Sequence, residues 1–254
     1  MSSPENNLIA VALAEVDALN ARLQALPLSP ALQASIDADW EVSQTYNSNA
    51  IEGNTLTLAE TKAVLLHGVT VSGHPLREHL EAVNHLEAWR MMRRLAAAGE
   101  AVTEADILAL HRVILTGIQT DDAGVYRRER VRIAGSSLIL PNPLKVPDLM
   151  ADFAFSLKRT DLHPVIHAAR VHYDLVAIHP FIDGNGRTSR LLMNLLLLRS
   201  GYPAALIPVS QRARYYTVLE AANGGDLEPF EGFIVERVAE SLRDLLAVNG
   251  ESED

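Results

Sequence analysis

The run from His179 to Arg190 constrains this chain more than any other part of the sequence. It places a histidine, a carboxylate, a glycine-rich turn and two arginines within twelve consecutive positions. Glycine adopts backbone conformations closed to other residues, so its backbone N–H groups can face an anion at close range. The residues from Thr188 to Leu198 predict a helix, and a glycine-rich turn that opens a helix is an anion site. The run therefore predicts two helices joined by a turn that binds phosphate groups.

The side chains of the run suit a nucleotide triphosphate. Arg187 and Arg190 lie three positions apart, so they share a helix face and can reach one polyphosphate. Asp183 can hold a Mg²⁺ ion that bridges phosphates. His179 stands just before the turn and can accept a proton near neutral pH. Taken singly, each of these residues also has an ordinary structural explanation.

Two other anion or cation motifs do not fit the run. A calcium loop that began at Asp183 would need glycine at its sixth position and glutamate at its twelfth, where this chain has Thr188 and Asn194. A P-loop would need Gly-Lys-Ser/Thr after the glycines, and that sequence is absent here.

The complete run, His-Pro-Phe-Ile-Asp-Gly-Asn-Gly-Arg-Thr-Ser-Arg, resembles the signature of Fic-domain (Fic/Doc) proteins at every defined position. The resemblance implies an all-α Fic fold, a helical bundle with a short β-hairpin flap beside the active site. It implies a protein adenylyltransferase (AMPylase) that moves AMP from Mg²⁺-ATP to a Ser, Thr or Tyr hydroxyl of a target protein. By the same resemblance His179 is the general base, Asp183 the magnesium ligand, Gly184, Asn185 and Gly186 the anion hole, and Arg187 and Arg190 the ligands of the β- and γ-phosphates.

A second motif, Ser48 to Asn54, lies well upstream. The segment from Ala31 to Ile51 predicts a helix that ends at Gly53, which leaves Glu52 at the negative end of the helix dipole. The motif resembles the family's N-terminal inhibitory helix, here about residues 36–53, whose Ser48 and Glu52 are the inhibitory residues. In that arrangement Glu52 pairs with Arg190 and blocks the γ-phosphate position. The resemblance also implies that Glu52 can align water for removal of AMP, whereas a solvated Glu at a helix end is the plain alternative.

Two further elements resemble family features. Residues 124–140 show β-type alternation around the turn Gly135-Ser136-Ser137, which predicts the hairpin flap. The resemblance implies that a target protein docks on the flap around Arg130–Leu140 by backbone pairing. Downstream, Tyr215, Tyr216 and Asn223 match family positions of the adenine pocket. A purely structural hairpin and a core pair of tyrosines are the alternatives.

Composition excludes several classes of protein. With 254 residues and 48% hydrophobic residues the chain is long and apolar enough to bury a core. A net charge of −10 argues against a nucleic-acid partner. The apolar runs are too short to span a bilayer, the N-terminus does not resemble a signal peptide and cysteine is absent, so we expect a cytoplasmic protein without a membrane partner. Self-modification and a homodimer stay open.

The layout predicts an N-terminal helical extension over residues 1–30, a Fic domain over 31–248 and an acidic tail over 249–254. Residues from about 44 to 246 are similar to the catalytic domain of the animal endoplasmic-reticulum members of the family, although their membrane anchor and helical repeats are not found here. His163 and His167 have a zinc-like spacing but no acidic or Cys partners, and we expect His163 to begin a helix instead.

Two other functions remain as alternatives. Relatives on the same fold move phosphocholine or phosphate, but the intact Gly-Asn-Gly-Arg favours AMP. A nucleotide-sensing or toxin–antitoxin regulatory module is the other alternative, and the presence of both His179 and Asp183 counts against it because a pure binder needs no base.

Overall fold

The computed structural model describes residues 4–27, 29–159 and 161–249, and in these ranges the regular secondary structure is entirely helical. Short 3-10 turns precede the sixth and ninth helices. No helix in the described ranges is long and apolar enough to cross a membrane. The helices are α1 (Pro4–Ala25), α2 (Pro30–Ile51), α3 (Leu58–His67), α4 (Leu76–Ala98), α5 (Glu104–Leu115), α6 (Val146–Ser156), α7 (Pro164–Ile178), α8 (Asn185–Arg199), α9 (Arg212–Asn223) and α10 (Glu228–Val248).

The centre of the fold is the pair α7 and α8, which the other helices surround. Nearly every residue of α8 is buried, including the run Leu191 to Leu197. A helix that is covered on all sides is largely apolar around its circumference, as this one is beyond its first two turns apart from Asn194, whose side chain bonds to the backbone of Ala205. Helices α4, α5 and α10 pack around the pair. The glycine-rich turn between α7 and α8 is thereby fixed at one end of the core.

The first helix packs on the last one. Val16, Leu19 and Leu23 of α1 are buried in the main apolar core, and α1 contacts α10 along its length. The division into residues 1–30, 31–248 and 249–254 stays a prediction. Of the acidic tail, only Asn249 lies within the described residues.

Local signals set the ends of the helices. Thr57 and Thr103 each form a capping box, with Glu60 and Asp106 as the returning carboxylates. Helix α8 begins at Asn185, three residues earlier than the predicted start at Thr188. The reason is Gly184, whose positive φ of 78° lets it cap the helix. The glycine-rich turn therefore supplies the first turn of α8.

The all-α prediction is confirmed, but the short β-hairpin is not seen as paired strands in the described chain. Residues 125–142, called the flap here, reverse direction at a turn in which Ser136 N–H donates to Ile133 O at 3.2 Å. Gly135 has a φ of 77°, as the third position of a type II turn requires. The two limbs are held by side chains instead of by each other's backbone. Arg127 ties their base, and Glu220 of α9 binds the tip.

We expect the Thr103→Ala variant to lower the free energy of unfolding by about 1 kcal/mol, because it removes the hydroxyl that caps α5. Urea denaturation measures the change. Thr217→Ala is the matched control: its exposed hydroxyl only bonds back to Ala213 O within α9, so the loss should be close to zero. Equal losses in both variants would contradict the capping role.

Candidate active site

His179 lies at the C-terminal cap of α7 and has an unusual backbone. Its φ is 50°, and among the described residues no other residue besides glycine has a positive φ. The backbone N–H still closes α7 by donating to Leu175 O at 2.9 Å. Nδ1 lies 3.3 Å from Val176 O, and since a carbonyl can only accept, Nδ1 carries the proton and Nε2 is left as a base. Burial lowers the pKa of His179 below its ordinary value, so the ring is neutral near pH 7.

Arg127 holds the backbone of this histidine. Its guanidinium is 2% exposed, and Nε donates to His179 O at 2.7 Å. The same side chain donates to Glu129 O at 3.1 Å and to Pro141 O at 2.8 Å. One buried arginine therefore fixes the two ends of the flap against His179, the candidate general base.

The turn after His179 is stabilised by its own side chains. Asn185 Oδ1 accepts from Phe181 N at 3.0 Å, and Asn185 Nδ2 donates to Phe181 O at 2.9 Å. His111 stacks on Phe181 with 3.6 Å between ring centroids, and its Nε2 donates to Asp183 O at 2.8 Å. With the turn held in this way, the first N–H groups of α8, at Asn185, Gly186 and Arg187, lie at a helix N-terminus where anions bind.

The Asp183 carboxylate is surrounded by donors. It accepts from Gly184 N at 2.6 Å, from Arg77 Nη2 at 2.8 Å and from Arg187 Nη2 at 3.3 Å. Burial acts to raise the pKa of Asp183, but the two arginines and the Gly184 N–H outweigh it and the net pKa is lowered. The group is ionised at neutral pH.

The Asp183 carboxylate fits a Mg²⁺ ion that is bound jointly by the protein and by substrate phosphates. Magnesium is usually bound through one or two carboxylates together with substrate phosphates and water. In the described part of the chain no group of three or more His, Cys, Asp or Glu side chains is arranged to hold a metal alone. Asp183 is one ionised carboxylate beside a helix N-terminus, which suits a shared site and not a complete protein cage.

Arg190 is only 5% exposed, and each of its three guanidinium nitrogens has a hydrogen-bond partner. Its Nη2 donates to Glu52 Oε1 and to Ser48 O, both at 2.8 Å, and Nε donates to Ser48 Oγ at 3.0 Å. Nη1 lies 3.5 Å from the Tyr215 hydroxyl. Burial lowers the pKa of Arg190, while the nearby Glu52 raises it, and the net pKa is raised above the ordinary value.

Glu52 is held by the way α2 ends. Gly53 N–H donates to Ala50 O at 3.1 Å and Asn54 N–H donates to Asn49 O at 3.1 Å, which is the Schellman pattern with Gly53 at a φ of 100°. The side chains of Asn49 and Asn54 bond to α4 through Glu81 O and Glu78 O. The carboxylate of Glu52 then lies against Gly186, where an added Cβ would overlap Oε1. The negative end of α2 thus has the cation that the sequence predicts for it.

A cavity of about 530 Å³ brings these elements together. Its lining includes Glu52, His179 and Gly186 together with the predicted adenine residues Tyr215, Tyr216 and Asn223. Tyr215 itself is almost fully buried, and its hydroxyl lies 2.9 Å from His172 Nε2. Tyr216 is more open, with the Arg212 guanidinium 5.0 Å from its ring centroid. Six of the predicted site residues therefore line one pocket, whereas Asp183, Arg187 and Arg190 lie outside its lining.

Glu220 links this cavity to the tip of the flap. Its carboxylate accepts from Ser136 Oγ at 2.7 Å and from Ser137 N at 2.9 Å, and Ser137 Oγ also donates to it. The hydrogen bonds from Ser137 and Ser136 lower the pKa of Glu220 to about 2. Asn223 Nδ2 donates to both Ser136 Oγ and Glu220. Glu220 and Asn223 of the cavity lining are thus joined to the flap turn by hydrogen bonds.

Sequence reasoning missed the residues that support the site from a distance. Arg77, Glu81, His111 and Glu220 belong to no motif, and an isolated polar residue in a helix gives no signal of its partners. Arg127 lies in the Gly124-Val-Tyr-Arg run, which predicts a flap but does not indicate what the arginine binds.

The two histidines with zinc-like spacing have structural partners. His163 caps α7 by accepting from Val165 N at 3.2 Å, and its Nε2 lies 3.1 Å from Asp17 Oδ1. His167 Nε2 lies 3.2 Å from Ser156 O. His163 therefore begins the helix, as expected.

Comparison with known proteins points in one direction. Residues 101–197 match the model of the Fic/DOC family. The Protein adenylyltransferase Fic of Drosophila willistoni is 40% identical over 233 residues, which are 91% of this chain and 46% of that protein. The chain thus spans less than half the length of this curated relative.

Solved structures show the same likeness. Fic-1 from C. elegans superimposes with a TM-score of 0.88 at 33% identity, covering 95% of this chain and 73% of that one. A Fic family protein from Desulfovibrio desulfuricans G20 gives a TM-score of 0.81 at 31% identity, covering 100% of this chain and 78% of that one.

We expect the fold to lose stability in mild acid because three histidines are buried in neutral form near the site. Burial, with nearby arginines, lowers the pKa of His85 and His172 to about 3, and burial lowers that of His111 to about 4. Below the unfolded pKa of 6.5 the unfolded chain binds protons that the folded chain does not. Unfolding should therefore become easier by about 1.5 kcal/mol per histidine between about pH 6.5 and pH 5.

Urea denaturation over that range measures the slope of unfolding free energy against pH. His85→Gln should flatten it by about one proton, and His85→Gln/His172→Gln by about two. Because the slope is read within each variant, a loss of stability at neutral pH does not obscure the result. A slope that is the same in all three proteins would rule out these histidines as its cause.

Proposed function

The chain belongs to the Fic/DOC family, and on that premise we propose that it is a protein adenylyltransferase that moves AMP from ATP to a hydroxyl side chain of a target protein. The observation that carries the proposal is the shared cavity, which holds a neutral histidine, an anion-binding helix N-terminus and an aromatic wall. Names of relatives support the reaction type, since the Drosophila willistoni protein is a protein adenylyltransferase.

The part of the cavity lined by Tyr216 and Asn223 suits an adenine base. Asn223 Oδ1 is buried and has no hydrogen-bond partner among the described residues. An unpaired buried acceptor is costly, and the exocyclic amino group of adenine is a donor of the required kind. The exposed ring of Tyr216 offers a face for stacking. These two features favour a nucleotide over phosphocholine as the group bound here.

The proposed chemical step uses His179 as the base. The target hydroxyl gives its proton to Nε2 of His179 while its oxygen forms a bond to the α-phosphorus of ATP. The bond from that phosphorus to the bridging oxygen breaks, and pyrophosphate leaves with the electron pair. Nδ1–H remains on Val176 O throughout, which keeps the ring oriented. Positioning and charge neutralisation supply most of the rate.

Charged residues around the turn neutralise the phosphates. The N–H groups at the start of α8 and the guanidinium groups of Arg187 and Arg190 bind phosphate oxygens. Asp183 would hold Mg²⁺, which when bound offsets the charge that develops on the leaving pyrophosphate. Arg77 and Arg187 now share the Asp183 carboxylate, so it is already ionised and oriented.

Glu52 acts as an internal inhibitor in this proposal. Its carboxylate pairs with Arg190, the cation that would bind the γ-phosphate, and it fills the space beside Gly186. A phosphate that binds productively must displace this carboxylate. Once displaced, Glu52 lies beside the cavity, where it can orient water for the reverse reaction, removal of AMP from the modified protein.

The flap completes the proposal on the target side. An extended target segment that pairs with the flap would supply the backbone partners that the flap lacks, and the hairpin predicted from sequence would form in the complex. We also propose a cytoplasmic site of action, for which the absence of cysteine is the support.

We expect Glu52→Gly to raise AMP transfer by roughly 10- to 100-fold, since release of a site that is closed 99% of the time gains at most roughly 100-fold. The measurement is incorporation of label from α-labelled ATP into protein. Glu52→Gln tests charge against bulk, because it keeps the size of the side chain and removes its charge. Glu41→Gln is the matched control, a carboxylate of the same helix that pairs with Arg90 outside the site. Equal labelling by wild type and Glu52→Gly would refute the inhibitory role.

His179→Ala in the Glu52→Gly background should abolish labelling and leave ATP binding intact by calorimetry, because the imidazole takes the proton and does not hold phosphate. In Glu52→Gly itself, the rate should fall in acid with an apparent pKa below 6.5, since burial lowers the pKa of His179 and loss of the Glu52 charge lowers it further. A pH–rate profile between about pH 5 and pH 8 shows the position of this limb. Transfer that survives the alanine substitution would remove His179 as the base.

A further inference from the structure

Three arginines on the flap stand apart from the other cations of the site. Arg128, Arg130 and Arg132 are exposed, and none of them makes an ion pair or a side-chain hydrogen bond within the described ranges. Arg127, directly beside them, is buried and makes hydrogen bonds to three backbone carbonyls. Arg127 therefore accounts for the structure of the flap, and the three exposed arginines are left without a structural role.

Burial alternates along both limbs of the flap. Val131 and Ile133 are half-buried while Arg130 and Arg132 are exposed, and on the return limb Leu138 and Leu140 are half-buried while Ile139 is 92% exposed. A period of two is that of an extended chain with two faces. The outer face of the flap therefore carries arginines on one limb and an isoleucine on the other.

The charge of this face is opposite to that of the whole chain. The exposed residues of the flap include three basic side chains and one acidic side chain, whereas the complete sequence has a net charge of −10. A basic patch on an acidic protein attracts acidic partners locally and steers their approach. Guanidinium groups match carboxylates in geometry as well as in charge.

The position of the patch connects it with catalysis. Residues 133–136 of the flap line the same cavity as His179 and Glu52. A second concavity, of about 1150 Å³, is lined by Arg130, Arg132 and the return limb with Ile139. A target segment that pairs with the flap would therefore place residues next to its hydroxyl along these limbs.

We propose that the flap selects target segments in which Asp or Glu flanks the modified residue, with Arg130 and Arg132 as the principal readers and Arg128 as a further contact. Ile139 accepts an apolar side chain of the same segment. This inference rests on the proposed AMP transfer and adds to it the chemical class of the target. A protein segment is favoured over a nucleic acid because the exposed isoleucine lies on the same face and the rest of the chain is acidic.

The test uses the full chain with Glu52→Gly and short synthetic peptides with one central Ser, Thr or Tyr. Acidic peptides carry Asp and Glu at the flanking positions, and matched peptides carry Asn and Gln or Lys. We expect the acidic peptides to be labelled roughly 3- to 10-fold faster than the Asn/Gln peptides, as two exposed ion pairs allow. The preference should shrink as salt is raised.

Charge reversal separates selection from folding. Arg130→Glu/Arg132→Glu should invert the preference in favour of the Lys peptides, an outcome that a damaged fold cannot produce. Arg94→Glu/Lys62→Glu is the matched control, since both residues are exposed and lie on helices outside the flap. The control should keep the acidic preference.

Failure of this inference can be told apart from failure of the proposed function. Labelling of peptides without regard to charge would overturn the acidic selection and leave AMP transfer standing. If no peptide is labelled, fluorescence anisotropy of dye-labelled peptides measures binding, and equal affinity for acidic and Asn/Gln peptides would also overturn it. Tighter flap-dependent binding of a single-stranded RNA oligonucleotide than of the acidic peptides would contradict it as well. Absence of label on any protein or peptide, with ATP bound, would count against the transferase itself.

Discussion

The buried guanidinium of Arg190 organises the site, because a charge removed from water must be paired and hydrogen-bonded. Its partners come from the end of α2 and from α9, while the residue itself lies in α8. Three helices therefore meet at one cation. The end of α2 takes up its position because Ser48 and Glu52 satisfy donors that α8 would otherwise leave unpaired. In the proposed function the same cation binds a phosphate, so inhibition and catalysis would use one charge.

The flap is held in place by side-chain hydrogen bonds and not by the backbone pairing of a β-sheet. The flap has no paired strands in the described chain, yet Arg127 ties its base to His179 and Glu220 ties its tip to α9. Its outer face is thereby left unpaired and basic next to the catalytic cavity. A rigid base and tip with open backbone between them is a surface that can accept an extended chain without fixing most of its sequence.

The sequence was enough to predict the helices and the groups of the site because strong local rules apply to them. Capping boxes mark α3 and α5, a proline marks the start of α7, and the run from His179 to Arg190 forms one motif. The start of α8 was placed three residues late, since Gly-Asn-Gly resembles a loop until Gly184 is seen to cap the helix.

Residues that act across the fold gave no such signal. Arg77 reaches Asp183 over 106 positions of sequence, and Glu220 reaches Ser137 of the flap over 83 positions. Their partners are set by the packing of α4 and α9 against the core, which no local pattern encodes. The hairpin was predicted from alternation around the Gly135-Ser136-Ser137 turn, but alternation reports two faces of an extended chain and not the pairing of its limbs.

The tether that carries Glu52 has a quantitative meaning. The carboxylate is attached one residue beyond a helix whose end is fixed to α4 by Asn49 and Asn54, so it cannot diffuse away from Arg190. A ligand linked by so short a segment competes at an effective concentration in the millimolar range or above. In the proposed function, ATP competes with a carboxylate of comparable local concentration, and small changes in how firmly α2 is docked shift the balance. The position of this helix end would then set how often the nucleotide site is filled, and Asn49 and Asn54 are the residues that hold it.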